Sequence, residues 1–305
     1  MGEDFSAGPP RPGIVALQEL RVGGIVTAGA RFVRANPVAV VIPAALWSLL
    51  LLAVSGAAGW VYAATAPAPE STMSPESALL TVGVVVLALV VTPPATALVL
   101  STLRPAVLGQ ARVTMGQAWT SARPRLRALY EVWLVVTVIS LIPLLVELGF
   151  SAPLHGAPEI PTGAAVVGGL LLVASYLLLI YVSVLIAFAP AVVVIEEKTS
   201  RAALRRSVEL VRGAWWRCLG VLVAISLITA VVMALVAVPV IGIAVLIGLV
   251  APMWLAMLVG GVLLSGVVAV NVGYATGATA LLYQDQRIRR ENYAAELLRD
   301  AQLEY

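Results

Sequence analysis

Every Lys and Arg of this chain falls in one of four segments, and the stretches between those segments are apolar and nearly free of charge. Four of the nineteen basic residues lie in 1–37, five in 103–130, six in 196–217 and four after 283. The connecting loops 65–77 and 150–162 carry only Glu70, Glu76, His155 and Glu159. Short loops rich in Lys and Arg stay on the cytoplasmic side of a membrane. The alternation therefore predicts a chain that crosses out and back between basic segments and keeps both termini in the cytoplasm. Composition agrees: 61% of residues are hydrophobic and 11% charged, whereas soluble domains are about a quarter charged.

At about 20 residues per spanning helix, the apolar runs predict an all-α, polytopic transmembrane bundle. Its six spans lie at about 38–64, 78–102, 129–150, 162–195, 218–238 and 253–283. A cytoplasmic segment, 1–37, precedes this domain (38–283), and a tail, 284–305, follows it. The run Pro239 to Pro252 is apolar but would be only about 21 Å long as a helix, so it is expected to be a re-entrant or interfacial connection. Were it a span, Arg287, Arg289 and Arg290 would face outward, against the charge bias. No N-terminal apolar core marks a signal peptide. Trp60 and Trp254 fall near outer ends, and Trp119, Trp215 and Trp216 near inner ends, as headgroup-level anchors would.

Three cytoplasmic segments have the pattern of short amphipathic helices. Ile25, Ala28 and Phe32 recur at helical spacing before Asn36-Pro37, with Arg31 and Arg34 alongside. Thr114 and Gln117 form a capping-box pattern ahead of Met115, Trp119, Ala122 and Leu126. Leu204, Val208, Val211 and Trp215 make an apolar stripe, while Arg201, Arg205 and Arg212 share another face and Glu209 is placed to pair with a neighbouring Arg. The unit of amphipathic helix, span, loop, span thus begins near residues 24, 115 and 202. The pattern fits a two-span module used three times, and equally a common membrane hairpin reached by convergence.

Chemistry-bearing constellations are absent from the pattern. One His and one Cys, Cys218, make no metal set, His155 has no nucleophile elbow to serve, and no phosphate loop occurs; no enzyme activity, cofactor or metal is expected. The basic residues flank spans instead of forming a soluble face, which points away from nucleic acid and towards anionic lipid of the inner leaflet. The candidate lipid-surface contacts are Arg31, Arg34, Arg123, Arg125, Arg127, Arg201, Arg205, Arg206, Arg212, Trp215, Trp216 and Arg217. Ionisable and amide groups inside membranes are costly and commonly functional, so Asn271, Tyr274 and Glu147 form a candidate intramembrane polar site. Glu131 is expected to pair with Arg127. The pair Gly273 and Gly277 permits close helix approach.

Two basic motifs carry a resemblance. Leu204-Arg205-Arg206-Ser207, Leu210-Val211-Arg212-Gly213 and Trp215-Trp216-Arg217, with the ending Ala280-Leu281-Leu282-Tyr283-Gln284-Asp285-Gln286-Arg287-Ile288-Arg289-Arg290-Glu291, resemble the membrane domain fused to some glycerophosphoryl diester phosphodiesterases. The opening from Gly24-Ile25 to Arg34-Ala35-Asn36-Pro37 is similar to that domain's start. The resemblance implies a stand-alone integral membrane protein without the catalytic barrel, and it transfers no functional residue. The expected role is a scaffold or anchor in a bacterial inner membrane, acting with anionic lipids or a partner protein. The alternative is a transporter or lipid-translocating protein with a pathway at Pro-broken helices, which calls for a polar-lined cavity near Asn271, Tyr274 and 239–252.

Overall fold

The computed structural model of the chain describes residues 19–65, 75–109, 113–151 and 162–291. Eleven α-helices occupy them: α1 (Val22–Ala35), α2 (Pro37–Thr65), α3 (Pro75–Ser101), α4 (Leu103–Leu108), α5 (Met115–Ala122), α6 (Leu126–Ser151), α7 (Thr162–Ile186), α8 (Ala189–Ile195), α9 (Ser200–Val211), α10 (Trp215–Val250) and α11 (Met253–Glu291). A 3-10 turn at Arg123–Arg125 joins α5 to α6 around Pro124. No strand occurs among the described residues. In lipid every backbone polar group must be satisfied within the segment, which leaves the helix as the only form for an open apolar run.

Among the described residues four helices are long and apolar enough to cross a membrane: Met115–Glu147, Gly163–Ile195, Trp215–Val250 and Trp254–Glu291. A fifth is added if α1 and the start of α2 count as one bent span, but the two meet at 88°. The chain is therefore a multi-pass membrane protein by length and composition. The right-angled entry lays α1 across the bundle axis instead of along it. Glu70, His155, Glu159, the first eighteen residues and the tail beyond Glu291 lie outside the described residues, as do the side chains of Trp60 and Glu76.

The modular order is present: a short helix followed by two long ones occurs as α1–α2–α3, α5–α6–α7 and α9–α10–α11. In the first two copies the second long helix breaks and resumes briefly as α4 or α8; in the third, α11 continues unbroken to Glu291. One expectation is corrected. The segment 239–252 is no separate connection, because Pro239 lies inside α10 and the helix runs on to Val250. A proline forfeits one backbone hydrogen bond, yet leaving the helix in lipid would forfeit several more.

Helix α11 is the axis of the packing. It runs antiparallel to α10 about a turn at Ala251-Pro252, as shown by Arg217 against Asp285, the Asn271 Nδ2–Thr229 carbonyl bond (3.0 Å) and Ala244 against Gly260. The Ser48 hydroxyl donates to the Ser265 carbonyl at 2.9 Å, and Val40 packs on Gly273, so α2 is antiparallel to α11 as well. A Cβ on Gly277 would lie 2.3 Å from the Phe32 ring, and one on Gly273 2.4 Å from Val40. The small-residue pair thus seats α1 and α2 of the same chain. By contrast α10 is a flank: only 6% of its most apolar stretch is buried, and Leu227, Leu235 and Leu249 face outward.

Candidate functional site at the Arg-rich end

The described parts of the basic segments gather at one end of the bundle: Leu20, Arg206 and Arg217 meet the polar last turns of α11, and Arg125 reaches Glu197 ahead of α9. Residues Gln284, Asp285 and Gln286 are buried there. The Asp285 side chain is fully buried and accepts from the Leu20 backbone N–H at 2.7 Å, from Arg217 at 2.5 Å and from Arg289 at 3.1 Å. Arg217 and Arg289 each also donate to the Leu20 carbonyl at 3.2 Å, and Arg289 pairs with Glu19. Both backbone polar groups of Leu20, at the entry to α1, are therefore clasped by α10 and α11. A carboxylate this deep is tolerable only with such partners.

A second cluster lies on another face of α11. Glu196, between α8 and α9, accepts from the Tyr283 hydroxyl at 2.5 Å and from Lys198 at 2.7 Å, with Arg206 and Arg287 at 3.5 and 3.8 Å. Arg206 and Arg287 both reach Glu291. Burial opposes ionisation of Glu196, but the hydrogen bonds from Lys198 and Tyr283 and the charges of Arg287 and Arg206 outweigh it and hold its carboxyl below the usual range. Burial likewise opposes the Arg206 charge, and Glu196 and Glu291 more than restore it. Arg290 closes the assembly by donating to the carbonyls of Glu209 (2.8 Å) and Arg212 (2.5 Å) at the end of α9. That end turns at Gly213, whose φ of 86° favours glycine.

The residues expected at the lipid surface divide into two groups. Arg31, Arg34, Arg123, Arg201, Arg212 and Trp216 are exposed. Arg127 and Arg205 are exposed too, in i,i+4 pairs with Glu131 at 3.3 Å and Glu209 at 2.9 Å. Arg125, Arg206 and Arg217 turn inward instead, to Glu197, to Glu196 and Glu291, and to Asp285. Trp215 is half-buried, donates to the Tyr181 carbonyl at 3.3 Å and stacks edge-on against Trp216. The amphipathic helices bury their apolar sides in protein: α1 places Ile25, Ala28 and Phe32 in the core as its spacing predicts, whereas α9 buries Ser200, Ala203, Ser207, Leu210 and Val211. The α9 face is rotated from the predicted stripe because small residues allow closer approach to α8 than Leu204 and Val208 do. The capping box of α5 forms as expected, although Ala118 and Ala122 are its buried residues and Trp119 is exposed.

The three candidate intramembrane polar residues do not form a common site. Asn271 is committed to Thr229, Tyr274 lies against Gly29 with its hydroxyl buried and without a partner, and Glu147 is exposed towards the far end of α6. A cavity of about 300 Å³ lies elsewhere, between α3, α6, α7, α8 and α11. Its walls are mostly apolar, with the hydroxyl residues Thr96, Ser183, Thr276 and Thr279 and the indole of Trp133 among them. The break between α7 and α8 borders it through Ile186, Ala187 and Pro190. Sequence reasoning missed Asp285, Glu196, Tyr283 and Arg289 as network members. The i,i+4 spacings Asp285–Arg289 and Arg287–Glu291 were the available signal.

Among the described residues no group of three or more His, Cys, Asp or Glu is placed to hold a metal ion. Residues 20–284 match the model of one protein family, described as a domain of unknown function (DUF7847), and the chain belongs to that family. No match was found among curated proteins or among solved structures.

Proposed function

We propose that this member of the DUF7847 family is a non-enzymatic membrane scaffold, held at the inner leaflet of a bacterial plasma membrane by a basic belt. Six spans, α2, α3, α6, α7, α10 and α11, place both termini and the Arg-rich end in the cytoplasm. The observation that carries the reading is the division of labour among the arginines at that end. Arg206 and Arg217 lock the helices together through buried or half-buried carboxylates and Arg125 reaches the exposed Glu197, while Arg31, Arg34, Arg123, Arg201 and Arg212 stay exposed, as does Trp216. Each exposed cation near an anionic leaflet contributes about 1 kcal/mol of attraction. A rigid polar plate rimmed by cations and resting on lipid is suited to present a fixed surface to a partner protein.

The test is lipid retention by the full-length protein. Purified from mixed phosphatidylcholine and phosphatidylglycerol nanodiscs, it is expected to keep an annulus enriched in phosphatidylglycerol. That enrichment should fade with rising salt and after Arg31, Arg34, Arg123, Arg201 and Arg212 are changed together to Gln. Unchanged enrichment in the five-site variant would remove the belt from the account. The translocation alternative finds less support. Asn271 is already satisfied, 239–250 is helix, and the cavity that does exist is mainly apolar.

A further inference from the structure

We infer that the half-open cavity between α3, α6, α7, α8 and α11 is a binding site for an uncharged ester lipid of the diacylglycerol class, engaged through its glycerol-ester end. Its depth is the first argument. The cavity-lining stretch of α11, Ala275 to Ala280, precedes the buried Asp285 by five to ten residues, about 7 to 15 Å along the helix. Trp133 lies seven residues inside the start of α6, about 10 Å in. Both distances place the cavity just beneath the charged layer, where lipid esters meet hydrocarbon in the leaflet on the Arg-rich side.

Its polar inventory is the second argument. The Trp133 Nε1–H is buried and has no acceptor, and an indole N–H only donates. Such a donor costs about 1–3 kcal/mol when left unmatched, and an ester carbonyl would match it. The α7–α8 break supplies acceptors: the Ala187 N–H bonds the Val184 carbonyl at 3.4 Å instead of that of Ser183, and Pro190 has no N–H to offer the Ile186 carbonyl. Ser183 and Ile186 both border the cavity. A free glycerol hydroxyl is the complementary donor.

Charge settles the class. Among the described residues no ionisable side chain lines the cavity. Thr276, Tyr283 and Arg287 share one stripe of α11 by their seven- and four-residue spacings, so a headgroup directed towards the charged layer would meet the Glu196 and Glu291 carboxylates along with Arg206 and Arg287. That mixed cluster repels a phosphate as well as attracting it. A volume near 300 Å³ is at the lower end of small-molecule sites, enough for the ester region of one lipid with its chains in the bilayer. The inference goes beyond the scaffold reading, and its probe is uncharged, so the two fail separately.

The test uses full-length protein in phosphatidylcholine nanodiscs and a photoreactive diacylglycerol. Saturable labelling is expected on α6, α7 or α11 peptides lining the cavity, displaced by unlabelled diacylglycerol and at least tenfold less well by phosphatidylglycerol or palmitate. Filling the cavity with Ala275→Phe should weaken binding at least tenfold. Trp133→Phe, which keeps the ring and removes the donor, should weaken it about fivefold, the equivalent of one hydrogen bond. Ala191→Leu serves as a second filling variant if Ala275→Phe does not fold. Labelling that fails to saturate, that survives both filling variants, or that phosphatidylglycerol or palmitate competes equally would overturn the assignment.

Discussion

At Gly277 the difference between a hydrogen and a methyl group decides whether α1 can dock. Phe32 is fully buried with its ring against that glycine, and backbone approach of this kind is how helices gain packing where lipid gives no hydrophobic drive. Gly277→Leu should lower stability by about 1–3 kcal/mol through overpacking, measured as thermal unfolding in detergent, whereas the same change at Gly261, with nothing within 4 Å, should be nearly silent. Equal effects at the two positions would count against the packing account. Asp285 is the polar counterpart. Asp285→Asn keeps the shape but removes the charge from bonds to Arg217, Arg289 and the Leu20 N–H, so a loss of about 1.5–3 kcal/mol is expected. Glu196 gives the pH dependence. Its carboxyl is held below its ordinary value of 4.5, so its contribution is complete above that pH and is lost as pH falls below 4.5 through the folded-state value. Melting temperature should therefore drop on acidification below 4.5, and the drop should be shallower in Glu196→Gln.

Among the elements, the break between α7 and α8 shows how a local defect is repaired by a distant part of the chain. Where a continuous helix would join the Phe188 N–H to the Val184 carbonyl, that carbonyl is taken by Ala187, and Phe188 donates to the Ser207 hydroxyl of α9 at 3.1 Å. The same hydroxyl donates to the Leu185 carbonyl at 2.7 Å. Ser207→Ala would leave the Phe188 N–H buried without a partner, costing about 1–3 kcal/mol; hydrogen exchange at Phe188 should accelerate relative to residues 165–175, and unchanged exchange would deny Ser207 this role. An analogous repair serves α3, where Pro94 offers no N–H to the Val90 carbonyl and the Tyr130 hydroxyl takes it at 2.7 Å. Such repairs mark the limit of what the sequence makes legible. The spacing of Ile25, Ala28 and Phe32, the Thr114–Gln117 box and the Arg127–Glu131 and Arg205–Glu209 pairs are local, set by residues three or four apart, and were readable. The end of α10 was misplaced because Pro239 is a breaker in water and a tolerated interruption in lipid. The burial of Ser207, Asp285 and Glu196 could not be read, since the partners that bury them lie 19 to 265 residues away, and only the local pairs Asp285–Arg289 and Glu196–Lys198 lay within reach of sequence spacing.

For the molecule as a whole, the guanidinium groups from which the topology is proposed also assemble the bundle, and one dimension ties these roles together. Trp254 and Tyr283 lie 29 residues apart on α11, about 44 Å of helix, which matches the roughly 40–45 Å of a bilayer with its headgroup regions. Trp254 is exposed at one end, while Tyr283 sits beneath the Asp285 and Glu196 clusters at the other. The α10–α11 turn must then emerge on the side opposite the arginines. Cys218 is the only cysteine and is buried, so a Cys218→Ala background leaves a clean reporter. Within it, Arg205→Cys on exposed α9 and Val250→Cys at the turn, where the native side chain is 87% exposed, should react with a membrane-impermeant maleimide from opposite faces of sealed vesicles. Labelling of Arg205→Cys from the cytoplasmic face only, and of Val250→Cys from the other only, is the expected result. Reaction of both from one side would require α10 to fold back within the membrane, and the antiparallel hairpin, the basic belt and the depth assigned to the lipid cavity would fall together.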